Sequence, residues 1–316
     1  MSTLLIDNER PVAVLGAGRG AWTWLAAAWR RDPAAVYWAA VLLLVLLVIS
    51  IGPLFAQPAA HIDPLIRLRG PSAAHWLGTD EYGRDILSRV LNAGGVSLGL
   101  SALVTVLAVL AGTLIGLCAG FFPRTDAIVM RLMDALLAFP PLVLAIALVA
   151  FLGSGASSEV AALSIVYTPF LARTMRGATL TQRARGYVAA ARGCGLGELR
   201  ILIKHVLPNT APTLLVQASF IYAFALLSDS ALSFLGLGVT APTPTWGNMV
   251  DEARPYLITE PGFIIFPGLA IVVVVMALNY LGDGVRNLLD PRSRAVLDLV
   301  RLRRRHLNSP ADRGEG

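Results

Sequence analysis

Long stretches without Asp, Glu, Lys or Arg alternate with short charged ones along this chain. The first runs from Pro33 to Ile62, densest at 36–56, and the second from Val90 to Pro123. The third runs from Ala135 to Ser158, with its helix expected to begin nearer Ala127. The fourth, Val160 to Ala172, has only 13 residues and reaches spanning length when extended to Ser157–Met175. His205 to Ser228 and Pro261 to Gly282 complete the set. A bilayer core about 30 Å thick takes about 20 helical residues to cross. In lipid, a helix satisfies every backbone group within its own segment. The pattern predicts an all-α integral membrane protein of about six transmembrane helices, near 36–56, 94–122, 127–152, 157–176, 207–229 and 262–283.

The charged stretches set the sidedness. Six spans put both termini on one side. The N-terminal tail carries Arg10, Arg19, Arg30 and Arg31, and the C-terminal tail carries Arg301, Arg303, Arg304 and Arg305. Between Arg173 and Lys204 lie Arg173, Arg176, Arg183, Arg185, Arg192, Arg200 and Lys204 against the single acid Glu198. Arg124 and Arg131 fall on the same side. Of the opposite loops, 153–159 has no base, 229–260 sets Asp229, Asp251, Glu252 and Glu260 against Arg254, and 57–89 is balanced. Basic loops stay in the cytoplasm, so both termini are expected there, and five spans would leave basic segments on both sides. The expected organisation is a cytoplasmic tail at 1–33, a transmembrane domain at 34–290 with a cytoplasmic loop at 177–206, and a cytoplasmic tail at 291–316 whose polar end is expected to be disordered.

Composition narrows the function classes. The 316 residues are 56% hydrophobic and 15% charged, against about 25% charged in soluble domains. The net charge of +6 comes from 25 Arg and one Lys, Lys204. Charge alone would admit a nucleic-acid partner, but its distribution marks a membrane face. The first apolar run is too long and starts too late for a cleavable signal. Cys118 and Cys194 are expected at different depths and unbridged. The four His are scattered, so neither a metal nor a cofactor is expected. No GxxxxGK[ST] phosphate loop is present, so ATP hydrolysis of that kind would need another chain, and this one is expected not to be an enzyme. A membrane-embedded enzyme would need acids gathered at one depth. Asp134, Glu159 and Asp229 do not share one side in the expected topology. Asp134 is expected at headgroup depth beside Arg131, and Asp229 and Asp283 at the interface. An ion-driven transporter would suit inverted repeats, and the halves do not match.

The most informative segment is Tyr187–Asn209, YVAAARGCGLGELRILIKHVLPN. Ala189, Ala190 and Ala191 allow close approach to a partner surface, Gly195 and Gly197 break the helix, and a mixed apolar–basic piece beginning at Glu198 leads through His205 and Leu207 to Pro208. The product is a helix, a turn and a second helix feeding the fifth span, a shape suited to docking. The segment resembles the EAA loop of bacterial ABC importer permeases. Ala190-Ala191, Gly195 and Leu207-Pro208 fall at the matching spacings, while Ala189 stands where that pattern has Glu and His205 where it has Ile.

Further segments resemble the dipeptide/oligopeptide/nickel permease family, of the type with a short first outer loop. They are Gly78–Arg89 (GTDEYGRDILSR), Arg131–Pro141, Phe234–Gly238 (FLGLG), Pro242–Met249 (PTPTWGNM) and 267–291, together covering about residues 35 to 292. Read alone, GTDEYGRD is either a solvated turn or an amphipathic element at the outer interface, and Pro140-Pro141 is a kink. The resemblance implies the type I importer permease fold in a bacterial inner membrane. It also implies a second permease, two P-loop ATPase subunits and an extracytoplasmic substrate-binding protein. The implied ATPase-coupling residues are Ala189, Ala190, Ala191, Gly195, Gly197, Glu198, His205, Leu207 and Pro208. The implied substrates are di- or oligopeptides, with nickel or another small solute as the alternative and a stand-alone secondary transporter as a more distant one. No substrate-binding residue is named by the sequence.

Overall fold

The computed structural model describes residues 33–55, 58–59, 61–240 and 242–289. The expected tails lie outside these residues, apart from Pro33. The described chain is helical: α1 (Pro33–Ile51), α2 (Ile86–Phe121), α3 (Pro123–Leu137), α4 (Pro141–Leu152), α5 (Ala156–Arg183), α6 (Gly186–Gly193), α7 (Glu198–Ile201), α8 (Leu207–Phe234), α9 (Trp246–Glu252) and α10 (Gly262–Leu289). A π-helical turn, Leu202–Val206, joins α7 to α8. Among the described residues, Pro33–Leu54, Ile86–Phe121, Glu198–Phe234 and Gly262–Asn287 are long and apolar enough to cross a membrane. The pair α3–α4 adds a fifth if its bend is allowed for. The start of α1 and the end of α10 pack together, with Trp38 stacked on Tyr280 at 5.3 Å and Ala35 against Gly284.

The stretch 127–152, expected as one helix, is two helices bent by 94°. The cause lies in Pro140-Pro141. A proline disfavours the helical conformation of the residue before it and donates no backbone hydrogen bond. Pro140 is extended (φ −55°, ψ 132°) and Pro141 opens α4. The bend leaves α3 lying against α5. Arg176 grips Asp126 through two bonds of 2.5 and 2.6 Å, and Arg173 reaches Asp134 at 2.5 Å. Asp134 is thus paired with Arg173, not with its sequence neighbour Arg131.

The helix with the shortest charge-free stretch, α5, packs against four others, α2, α3, α4 and α8. A helix wrapped by protein need not be apolar all round, provided its polar groups find partners. Thr168 bonds back to Ser164 O at 2.7 Å, and the two arginines are held by α3. The close fit of α2 on α5 comes from a small-residue stripe. A Cβ on Gly112 would stand 2.8 Å from Leu171 Cβ, on Gly116 2.6 Å from Ala172 O, and on Gly120 2.7 Å from Thr179 Cβ. Spacing by four puts all three on one face, the small-xxx-small arrangement that brings membrane helices together. Gly116→Val is expected to destabilise the detergent-purified chain by about 1–3 kcal/mol through overpacking and so to lower its thermal midpoint. Gly99→Ala, where a Cβ meets nothing, should leave the midpoint unchanged or higher. Equal midpoints for the two variants would contradict the stripe.

GTDEYGRD is not a solvated turn but a buried ionic cap at the start of α2. Asp80, fully buried, accepts from the Tyr82 and Arg84 amides, from Arg84 Nε at 2.6 Å and from Arg89 at 2.7 Å. Arg89 also donates to Glu252 of α9 at 2.6 Å. Asp85 caps α2 by accepting from the Ser88 amide and meets His75 at 3.0 Å. Burial pushes the Glu81 carboxyl above its ordinary value; the Asp80 and Glu252 charges add to this, while a backbone hydrogen bond and Arg84 oppose it. Asp80, Glu81 and Glu252 converge closely enough to suggest a cation site, but two guanidinium groups already donate into them. PTPTWGNM serves the same end of the bundle. Thr245 and Asn248 form a capping box, and buried Trp246 donates its indole N–H to Val90 O at 2.9 Å.

Candidate coupling surface

The segment between α5 and α8 is built by local signals. After Arg183 the chain turns and α6 begins at Gly186. Val188 is fully buried, with Tyr187, Ala191 and Leu196 packed beside it in the main apolar cluster. This fixes one face of α6 and turns Ala189 and Ala190 outward, where both are exposed. The helix ends in a Schellman motif: Leu196 N–H bonds Ala191 O at 3.1 Å and Gly195 N–H bonds Arg192 O at 2.9 Å. That motif requires a left-handed residue, and Gly195 supplies it with φ +78°. Gly197, extended at φ −66° and ψ 145°, caps α7.

A charged clasp holds the two pieces. Arg192 donates to both oxygens of Glu198 at 2.7 and 2.9 Å and lies over the Phe121 ring at 5.5 Å. The following π-helical turn displaces the carbonyl pattern, as single π turns do. His205 O accepts from Asn209 Nδ2 at 2.6 Å and from Tyr187 O–H at 3.5 Å. Ile201, Leu202 and Val206 are buried, whereas Leu199 and Ile203 are 63% and 54% exposed. With Arg200 and Lys204 they line a shallow cleft of about 560 Å³.

The expected coupling residues therefore divide. Ala189, Ala190, Gly195, Gly197, Glu198 and Pro208 are exposed, while Ala191, His205 and Leu207 are half-buried and serve the packing of the loop. Arg192, Leu199 and Ile203 were not among them. The exposure of Leu199 and Ile203 depends on helix phase through the π turn, and the Arg192–Phe121 contact joins distant parts of the chain. In the bundle itself, an apolar cavity of about 330 Å³ lies between α4, α5 and α8, against Pro141, Tyr167, Phe170, Gln217, Phe224 and Ser228.

Residues 108–295, more than half of the chain and including this whole loop, match the family model described as the binding-protein-dependent transport system inner membrane component. The chain belongs to that family. It is a multi-pass inner-membrane permease component of a transport system. The permease is 43% identical over 262 residues to the di/tripeptide transport system permease protein of Pseudomonas aeruginosa, covering 79% of this chain and 86% of that one. It is 38% identical over 252 residues to the dipeptide transport system permease protein of Alkalihalophilus pseudofirmus, covering 79% and 83%. With the glutathione transport system permease protein of Pectobacterium atrosepticum it shares 43% identity over 224 residues, 71% and 74% of the two chains.

Proposed function

We propose that this permease forms half of the translocation path of an ABC importer for di- and oligopeptides. The observation that carries the coupling role is the Gly195-terminated knob, with an exposed Ala189–Ala190 face on α6 and exposed Leu199 and Ile203 further along the loop, held by Arg192–Glu198 and by buried Val188. Exposed apolar side chains among basic ones suit a partner surface. The partner is an ATPase subunit, and a second permease, a second ATPase and an extracytoplasmic binding protein complete the assembly. Closure of the ATPase pair on ATP would move the knob as a rigid body and tilt α5 and α8, which enter and leave it. The cavity beside Tyr167, Gln217 and Phe224 would then form part of one wall of the path. Its uncharged lining suits peptides with differing side chains, the binding protein doing the selecting. The names of the relatives support the peptide substrate.

Uptake of a labelled dipeptide by cells lacking other peptide importers tests this reading. Expression of the chain with its partner subunits is expected to restore ATP-dependent uptake, and an excess of unlabelled tripeptide to compete. Restored uptake of nickel or another small solute, with no dipeptide uptake, would overturn the peptide assignment.

A further inference from the structure

Glu159 and Asp229, which the expected topology puts on the outer side with Asp134 on the other, meet in the structure. Glu159 sits in the first turn of α5 and Asp229 near the end of α8, and each is 1% exposed. The two carboxyls interact across the packed α5–α8 seam, with Ser97 of α2 near Asp229. Ser97 Oγ is itself fixed by accepting the Trp246 amide at 3.2 Å. Among the described residues, no N–H group donates to any of the four carboxyl oxygens.

Among the described residues, nothing packed around the pair supplies a countercharge. On α2, Arg89 is committed to Asp80 and Glu252. On α9, Glu252 faces Arg84 and Arg89, while Asp251 pairs with Arg254. No residue of α4 is ionisable, and α10 has no charged residue before Asp283. The charged residues of α3 and the arginines of α5 lie toward the opposite end, where Arg173 and Arg176 hold Asp134 and Asp126. The nearby phenols are neutral and engaged, Tyr167 with Phe224 O and Ser228, Tyr222 with Leu98 O.

An ionised carboxylate only accepts hydrogen bonds. Two such groups in contact, away from water and without a cation, repel each other and lack the donor that either requires. A single proton between them removes both problems. We propose that Glu159 and Asp229 form one proton-binding site at the seam between α5 and α8. Parting the two helices would admit water, each acid would ionise at neutral pH as a free carboxyl does, and the proton would leave. The closed seam therefore holds one proton more than the parted one, and rising pH favours parting. This goes beyond the transport reading and does not depend on which solute is carried.

Infrared spectra of the full chain in lipid nanodiscs test the site directly. At about pH 8, well above ordinary carboxyl values near 4, the wild type is expected to keep a protonated-carboxyl stretch. Glu159→Gln and Asp229→Asn should each lose it, because an amide N–H then donates to the one carboxylate that remains. Absence of any such band in the wild type would overturn the site without recourse to a variant. So would a band of unchanged strength in either variant.

Discussion

Gly195→Pro is expected to cut the ATPase recovered with this permease by more than tenfold while leaving the amount of chain in the membrane unchanged. Gly195 has φ +78°, and proline is confined near −65°. Proline also removes the N–H that bonds Arg192 O. The mismatch costs about 3 kcal/mol or more, and about 1.4 kcal/mol already corresponds to a tenfold change in binding. The damage stays local, because a side chain at Gly195 meets nothing within 4 Å. Gly195→Ala keeps the N–H and costs about 1–2 kcal/mol for the left-handed conformation, so it should fall between wild type and proline. Ala190→Trp separates loop folding from docking. Ala190 is exposed, so the variant should keep the wild-type thermal midpoint and still lose the ATPase. Full transport by a well-expressed Ala190→Trp chain would remove the docking role from that face.

The second large effect lies at the other end of the bundle. Arg89→Met is expected to destabilise the chain by about 3–5 kcal/mol, the range for stripping one partner from a buried ion pair. Arg89 is 1% exposed and bridges Asp80 to Glu252. Without it, buried Asp80 keeps only Arg84 as a countercharge among the described residues. At roughly 2–4 °C per kcal/mol for a larger domain, the thermal midpoint should fall by about 10 °C. Arg89→Met combined with Glu252→Gln should recover part of the loss, since one orphaned carboxylate is then gone. A shift of less than about 2 °C for the single variant, on the same scale, would show that the cap does not hold α2 to α9.

What could be read from the residues alone follows the range of the interactions involved. The helix–turn–helix shape of the proposed coupling segment was legible because its signals are local: Gly195 makes its turn with Ala191, Arg192 and Leu196, all within five positions. The apolar stretches of α1, α2, α8 and α10 were legible because lipid demands length and low charge from each helix separately. The ionic cap was not, since Asp80 and Arg84 look solvated until Glu252 arrives from 163 positions beyond Arg89. Asp134 went to Arg173 instead of Arg131 because the 94° bend turns α3 onto α5. Pro140-Pro141 announces a break but not its angle. Glu159 and Asp229 lie 70 positions apart, and only the packing of α5 on α8 brings them together. The stripe Gly112, Gly116 and Gly120 was present in the pattern, yet its meaning depends on knowing which helix lies against it.

The central claim is that this permease docks an ATPase through the 184–206 knob. Affinity purification of the tagged full chain in mild detergent, with identification of every recovered protein, tests it most directly. The expected result is a second multi-span permease together with one or two P-loop ATPases, the ATPases depleted from Gly195→Pro and Ala190→Trp preparations. Recovery of the wild-type chain with no ATPase, even after crosslinking from exposed Cys194, would contradict it.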